Sequence, residues 1–153
     1  MNVSEQISSW LAKQGIDQVF SVTGGGAMFL NQAFGNQEGM QTLYMHHEQA
    51  CSMAAEGYAR ISGKPGVVVL TTGPGAINAL NGVFGAYTDS IPMIIISGQV
   101  KRETCLAFQH APGLRQLGDQ EGPTIELASA ITKFSKLVRE PEDLESLLPQ
   151  SLS

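Results

Sequence analysis

Glu48 follows His46 and His47 directly and precedes Ala50, Cys51, Met53, Ala54 and Ala55, all of them small or apolar. A carboxylate at such a junction has two explanations. It can simply be stabilised by the macrodipole of a helix that it opens, an effect of about 0.3–1 kcal/mol. Or it sits in a dry site, where desolvation raises its pKa and fits it to pass protons to a bound base. The run of small and apolar residues behind Glu48 favours the second reading. The two histidines have no third ligand at a spacing that would complete a metal site, so no metal residues are assigned.

Two glycine-rich turns, Gly24-Gly25-Gly26 and Gly73-Pro74-Gly75, each stand between a strand-like run and a helical one. Turns of this kind expose backbone N–H groups at a helix N-terminus and let a planar or anionic ligand approach the main chain, although they also join strands to helices for purely geometric reasons. A dinucleotide fingerprint is only half met. Gly24 and Gly26 supply its first two glycines and Glu48 stands near the ~20-residue offset of its ribose-binding acid. The third glycine position is Phe29, and Gly35 cuts the following helix short. A nucleotide-binding, Rossmann-like domain is therefore the weaker alternative.

Short β-like runs alternate with helical stretches, the pattern of a layered α/β domain with a mainly parallel central sheet flanked by helices. Ile7, Trp10 and Leu11 predict a helix over residues 4–14, stopped by Gly15. Residues 18–22 read as a strand, 27–34 as a short helix closed by Gly35, and 42–45 as a second strand. A helix over 48–61 has small residues at Ala50, Cys51, Ala54, Ala55 and Ala59, so a neighbour can approach its backbone closely. The continuous apolar run 67–71 suits a strand covered on both faces, and 91–97 reads as another buried strand. Between them a helix runs to Tyr87 with Ile77, Leu80, Phe84 and Tyr87 on one stripe. Residues 98–122 lose periodicity and read as a long functional or interface loop. A helix over 123–131, a strand over 134–138 and a final helix from Pro141 complete the expected order. Since no strand follows, the last strand of the sheet is expected to be missing and the chain to end inside a domain.

The 153 residues suffice for one domain with a real core, and an apolar fraction of 42% excludes disorder. Charged residues make up 15%, against roughly 25% in ordinary soluble domains, so part of the surface is expected to be an interface. A net charge of −5 without a basic cluster excludes nucleic acid as a partner. The longest apolar runs fall far short of the ~20 residues that a membrane span needs, and no signal pattern opens the chain, so a cytoplasmic location is expected. Cys51 and Cys105 lack metal-ligand or disulfide spacing and read as buried thiols.

Several motifs in series resemble the acetolactate synthase group of thiamine-diphosphate enzymes. They are His47-Glu48-Gln49-Ala50, Ala55-Glu56-Gly57-Tyr58-Ala59-Arg60 and Ser62-Gly63-Lys64-Pro65-Gly66-Val67. Thr72-Gly73-Pro74-Gly75-Ala76 with Asn78, Asp89-Ser90-Ile91-Pro92 and Gly98-Gln99-Val100 follow in order, then Ala107-Phe108-Gln109 and Ile131-Thr132-Lys133. The resemblance implies the thiamine-diphosphate-binding fold in its pyrimidine module, with residues 1–153 as that N-terminal domain and the pyrophosphate domain absent from the chain.

What the resemblance implies about chemistry is specific. Glu48 matches the family glutamate that binds the cofactor's aminopyrimidine: a carboxylic acid at the ring nitrogen favours the imino tautomer, whose exocyclic nitrogen removes the thiazolium C2 proton. The activated cofactor then attacks a 2-keto acid such as pyruvate, releases carbon dioxide and acts as an electron sink. Thr23, Gly24 and Gly25 resemble the loop bordering the pyrimidine, with Thr23 where many members have proline. Gly73, Pro74 and Asn78 resemble the pyrimidine side of the site, and Phe108 with Gln109 the pair reaching toward substrate. The family's Gly-Asp-Gly metal motif has no copy, since Gly118-Asp119-Gln120 lacks the second glycine, so Mg²⁺ and the diphosphate are expected on the absent domain. The flavin-binding middle domain is missing too, and no flavin is expected. Implied partners are a second copy, as a homodimer or higher homo-oligomer, and the pyrophosphate domain. A noncatalytic dimerising relative is the other reading within the family.

Overall fold

A computed structural model describes all 153 residues. Helix α1, Val3–Lys13, starts on a capping box: the Asn2 side chain accepts from the Glu5 backbone N–H at 2.9 Å, and Glu5 accepts from the Asn2 N–H at 2.8 Å. Strand β1, Gln18–Ser21, follows, then a 3-10 turn at Gly25–Ala27 and helix α2, Met28–Asn36. The helix runs through Gly35 rather than stopping there. Strand β2 is Gln41–Tyr44 and helix α3 is Glu48–Ser62, closed by Gly63 in the left-handed conformation at φ 71°. Strand β3, Gly66–Leu70, feeds helix α4, Pro74–Thr88, with proline in the first turn, where no donor is lost. Strand β4 is Met93–Ser97.

The four strands are all parallel in the order β2-β1-β3-β4, which puts β3 inside the sheet. Because side chains alternate along a strand, Val67 and Val69 face one way and Val68 and Leu70 the other. Val67 and Val69 join Ile7, Leu11, Leu30, Phe34 and Leu144 in one core. Val68 and Leu70 join Phe20, Cys51, Ala55 and Ala79 in a second core. Helices α1 and α2 thus cover one face and α3 and α4 the other, a three-layer α/β domain.

The small residues of α3 find their neighbours inside the chain. A Cβ on Gly82 of α4 would fall on the Ser52 hydroxyl, and a Cβ on Gly66 of β3 on the Ala55 carbonyl. The Ser52 hydroxyl in turn donates to the Ala79 carbonyl at 2.9 Å. Arg60 pairs with both Glu56 and Asp89, tying α3 to the end of α4, and Lys64 with Tyr58 holds Asp17.

The stretch after β4 departs from expectation. Residues 134–138 form no strand. Val138 packs on the α1 side of the core, and the next backbone donors, the N–H groups of Arg139 and Glu140, go to the Asp143 carboxylate at 2.8 and 3.0 Å. Those donors serve a turn at Pro141–Asp143 that leads into helix α6, Leu144–Ser151, and not a ladder. Strand β4 is half-buried where full burial was expected, because it is the outer strand of the sheet. Helix α5 is short, Thr124–Ser129. No helix is long and apolar enough to cross a membrane.

Candidate functional site

The parallel sheet brings the end of β3 beside the start of α3, and the two carry Gly73 and Glu48 to one place. Glu48 is the first residue of α3, so the helix N-terminus fixes its backbone and its carboxylate reaches sideways. One oxygen, Oε2, accepts from the Asn78 side-chain amide at 2.7 Å. Asn78 lies one turn into α4, and its amide also stands 3.4 Å from His47 Nε2. Oε1 of Glu48 accepts no hydrogen bond from the protein and lies beside Gly75, where an added Cβ would sit 3.3 Å away.

These groups border a concavity of about 1000 Å³ that opens to solvent. Glu48, Thr71, the Gly73-Pro74-Gly75 turn and Asn78 form one wall, and Gln116, Asp119 and Gln120 the opposite one. The concavity is open to solvent and Glu48 is half-buried in this chain, where a dry cleft was expected. Behind Glu48, one turn along α3, burial pushes the Cys51 thiol up to about 11, and the Glu48 charge adds to the shift. At that value the sulfur stays protonated near neutral pH and is no nucleophile.

The glycines have steric reasons. Gly73 is left-handed at φ 55°, and a Cβ there would fall on the Gln120 carbonyl oxygen, so only glycine lets the two walls meet. The Gly24-Gly25-Gly26 turn lies behind the concavity and not in its lining. A Cβ on Gly24 would strike the Thr71 side chain, and the Gly26 N–H donates to Thr71 Oγ1 at 3.1 Å. Gly98 packs against the Gly26 carbonyl just as closely.

Of the residues singled out in the sequence, Glu48, Gly73, Pro74 and Asn78 come together around the concavity. Gly24 reaches it only through Thr71, and Thr23 and Gly25 are exposed outside its lining. Phe108 and Gln109 are not part of it. The Phe108 ring lies under the Arg102 and Arg139 guanidinium groups at 4.4 and 5.7 Å, and the Gln109 amide donates to the Arg102 carbonyl at 3.4 Å. The resemblance drew attention to that pair, whereas Gln116, Asp119 and Gln120 of the same segment, which the sequence reading did not single out, line the concavity. Their only signal was a polar cluster held between Gly113, Gly118 and Gly122. No group of three His, Cys, Asp or Glu side chains is arranged to hold a metal ion.

Residues 1–121 match the family described as thiamine pyrophosphate enzyme, N-terminal TPP binding domain. The chain is similar to acetolactate synthase 2, chloroplastic, of Brassica napus, with 38% identity over 141 residues, covering 92% of the chain and 21% of that protein. It is 38% identical over 144 residues to the chloroplastic acetolactate synthase of Arabidopsis thaliana, covering 92% of the chain and 20% of that protein. With the acetolactate synthase large subunit of Lactococcus lactis it shares 36% over 151 residues, 97% of the chain and 24% of the relative. The chain thus spans between a fifth and a quarter of the length of these relatives.

Proposed function

Because the chain belongs to the thiamine pyrophosphate enzyme family, as its N-terminal TPP binding domain, we propose that it is the pyrimidine-binding half of an acetolactate-synthase-like enzyme. The reaction is decarboxylation of a 2-keto acid and carboligation of the remaining fragment, with Glu48 activating the cofactor. The supporting observation is one carboxylate at a helix start, with Oε2 tied to Asn78 and Oε1 free at a concavity.

The residues present fit an aminopyrimidine. A planar ring needs a carboxyl oxygen facing its nitrogen and a main chain that it can lie against. Gly75 packs its backbone so closely on the Thr71 side chain that a Cβ there would lie 2.7 Å from Thr71 Cγ2, and it stands beside Glu48 Oε1, so the main chain comes right up to the carboxylate at the edge of the concavity. Thiamine diphosphate, when bound, supplies the electron sink for loss of carbon dioxide. Glu48 would hold the ring nitrogen through Oε1 and serve there as the general acid-base group, work typically worth about 10²–10⁴-fold. Asn78 sets the rotation of the carboxyl group, and the Gly73-Pro74-Gly75 turn shapes the floor. The diphosphate and Mg²⁺ belong, in this reading, to a pyrophosphate domain outside these residues, whose approach also removes water from the concavity.

That domain and a second copy are the proposed partners. Phe84 and Tyr87 are about half exposed on α4 and stack on each other at 6.5 Å between centroids, which supports a contact through the outer faces of α3 and α4. Sizing over a wide concentration range should show a dimer, and a strict monomer removes this part. Free, buried thiols at Cys51 and Cys105 support a reducing, cytoplasmic location. For the chemistry, Glu48→Gln in the holoenzyme is expected to slow exchange of the thiazolium C2 proton by about 10²–10⁴-fold with the fold intact. Unchanged exchange rules the relay out.

A further inference from the structure

The wall of the concavity opposite Glu48 has no helix or strand to hold it, yet it is ordered around a single side chain. The Glu121 carboxylate accepts from three backbone N–H groups: Leu106 at 2.8 Å through Oε1, and Leu117 at 3.1 Å and Gly118 at 3.2 Å through Oε2. Sequence separations of 15, 4 and 3 residues converge on one group, which closes the segment into a compact loop. The loop is also packed. A Cβ on Gly118 would lie 2.6 Å from the Val100 side chain and 2.9 Å from the Thr104 carbonyl, and one on Gly122 3.2 Å from Ile77 of α4.

Gln120, next to Glu121, is held at φ 58°, a conformation that a residue with a side chain adopts only under constraint. Its carbonyl oxygen is the atom that meets Gly73. A glutamate bonded on one side to Leu106 and on the other to Leu117 and Gly118 supplies that constraint. Burial pushes the Glu121 carboxyl up, but the N–H donors of Leu117, Gly118 and Leu106 together pull it below the ordinary carboxylate value. It is therefore ionised at neutral pH and acts only as an acceptor, unlike the proton-exchanging role of Glu48.

We propose that Glu121 is the positioning residue of the substrate-side wall: by tying three backbone N–H groups it sets Gln116, Asp119 and Gln120 against the Gly73 turn, facing Glu48. That these three side chains then meet the 2-keto acid rests on the function proposed above. The loop clamp itself does not, and it is tested with no cofactor present.

Glu121→Gln keeps the size of the side chain and removes its charge and one acceptor. In the 153-residue chain, hydrogen exchange of the Leu106, Leu117 and Gly118 amides should quicken by roughly tenfold or more while the β3 amides stay protected. Unchanged exchange at the three amides overturns the proposal, and so does equal loosening of β3, which would make Glu121 a general stability residue. In the thiamine-diphosphate holoenzyme the same variant should raise KM for the 2-keto acid by roughly tenfold while C2 proton exchange stays within about twofold of the parent, and Glu121→Asp should recover part of the loss. Looser amides with an unchanged KM overturn the assignment to substrate. Loss of C2 exchange to the extent seen for Glu48→Gln also overturns it, since Glu121 would then act on cofactor activation.

Discussion

The two walls of the Glu48 concavity are made in opposite ways. One is a product of regular structure: a parallel strand, a glycine turn and the first turns of α3 and α4 deliver Gly73, Glu48 and Asn78 to fixed places. The other, from Gln116 to Gly122, is irregular chain closed on a carboxylate. In the first wall the backbone hydrogen bonds belong to helices and the sheet, so a side chain there is free for chemistry. In the second the backbone donors are satisfied by a side chain, and Glu121 is consumed as a structural acceptor.

The walls touch at Gly73 and Gln120, and this is where the contrast breaks most easily. Gly73→Ala places a Cβ on the Gln120 carbonyl and forces an alanine to φ 55°. Left-handed strain costs about 1–3 kcal/mol and the overlap a similar amount, so a fall in stability of several kcal/mol and loss of the wall contact are expected. Chemical denaturation and the Gln120 amide signal check both. A small effect on each would mean that the walls stand independently.

Acid separates the walls more gently. The folded-state value of Glu121 is depressed below its ordinary 4.5, so its stabilising contribution is full above that pH and is lost as pH falls through the lower folded value. Below about pH 4.5 the Leu106, Leu117 and Gly118 amide shifts should move together, while β3 amides, which sit in the sheet ladder, hold their positions. Movement of β3 over the same range would show one cooperative unit and not two differently built walls.

Legibility in the sequence followed the same division. Residues 67–71 could be read as a strand buried on both faces because their hydrophobic run is continuous, and the structure places β3 inside the sheet with both faces covered. Glu48 could be singled out because a charged residue before small apolar ones is a local anomaly. Residues 134–138 have strand-like composition, but a strand exists only where a ladder accepts its donors, and here Asp143 takes the next ones.

Periodicity, glycine placement and the motif series were enough by themselves to determine the α/β layering, the family and the position of Glu48 at a helix start. These signals are local, written over a few residues by the geometry of helix and strand. Only the tertiary structure decided that Gln116, Asp119 and Gln120, and not Phe108 and Gln109, line the concavity that this carboxylate borders. The physical reason is that an irregular segment has no repeat to read: its path is set by long-range contacts, such as Glu121 reaching Leu106 and Gln120 meeting Gly73, which exist only once the chain is folded.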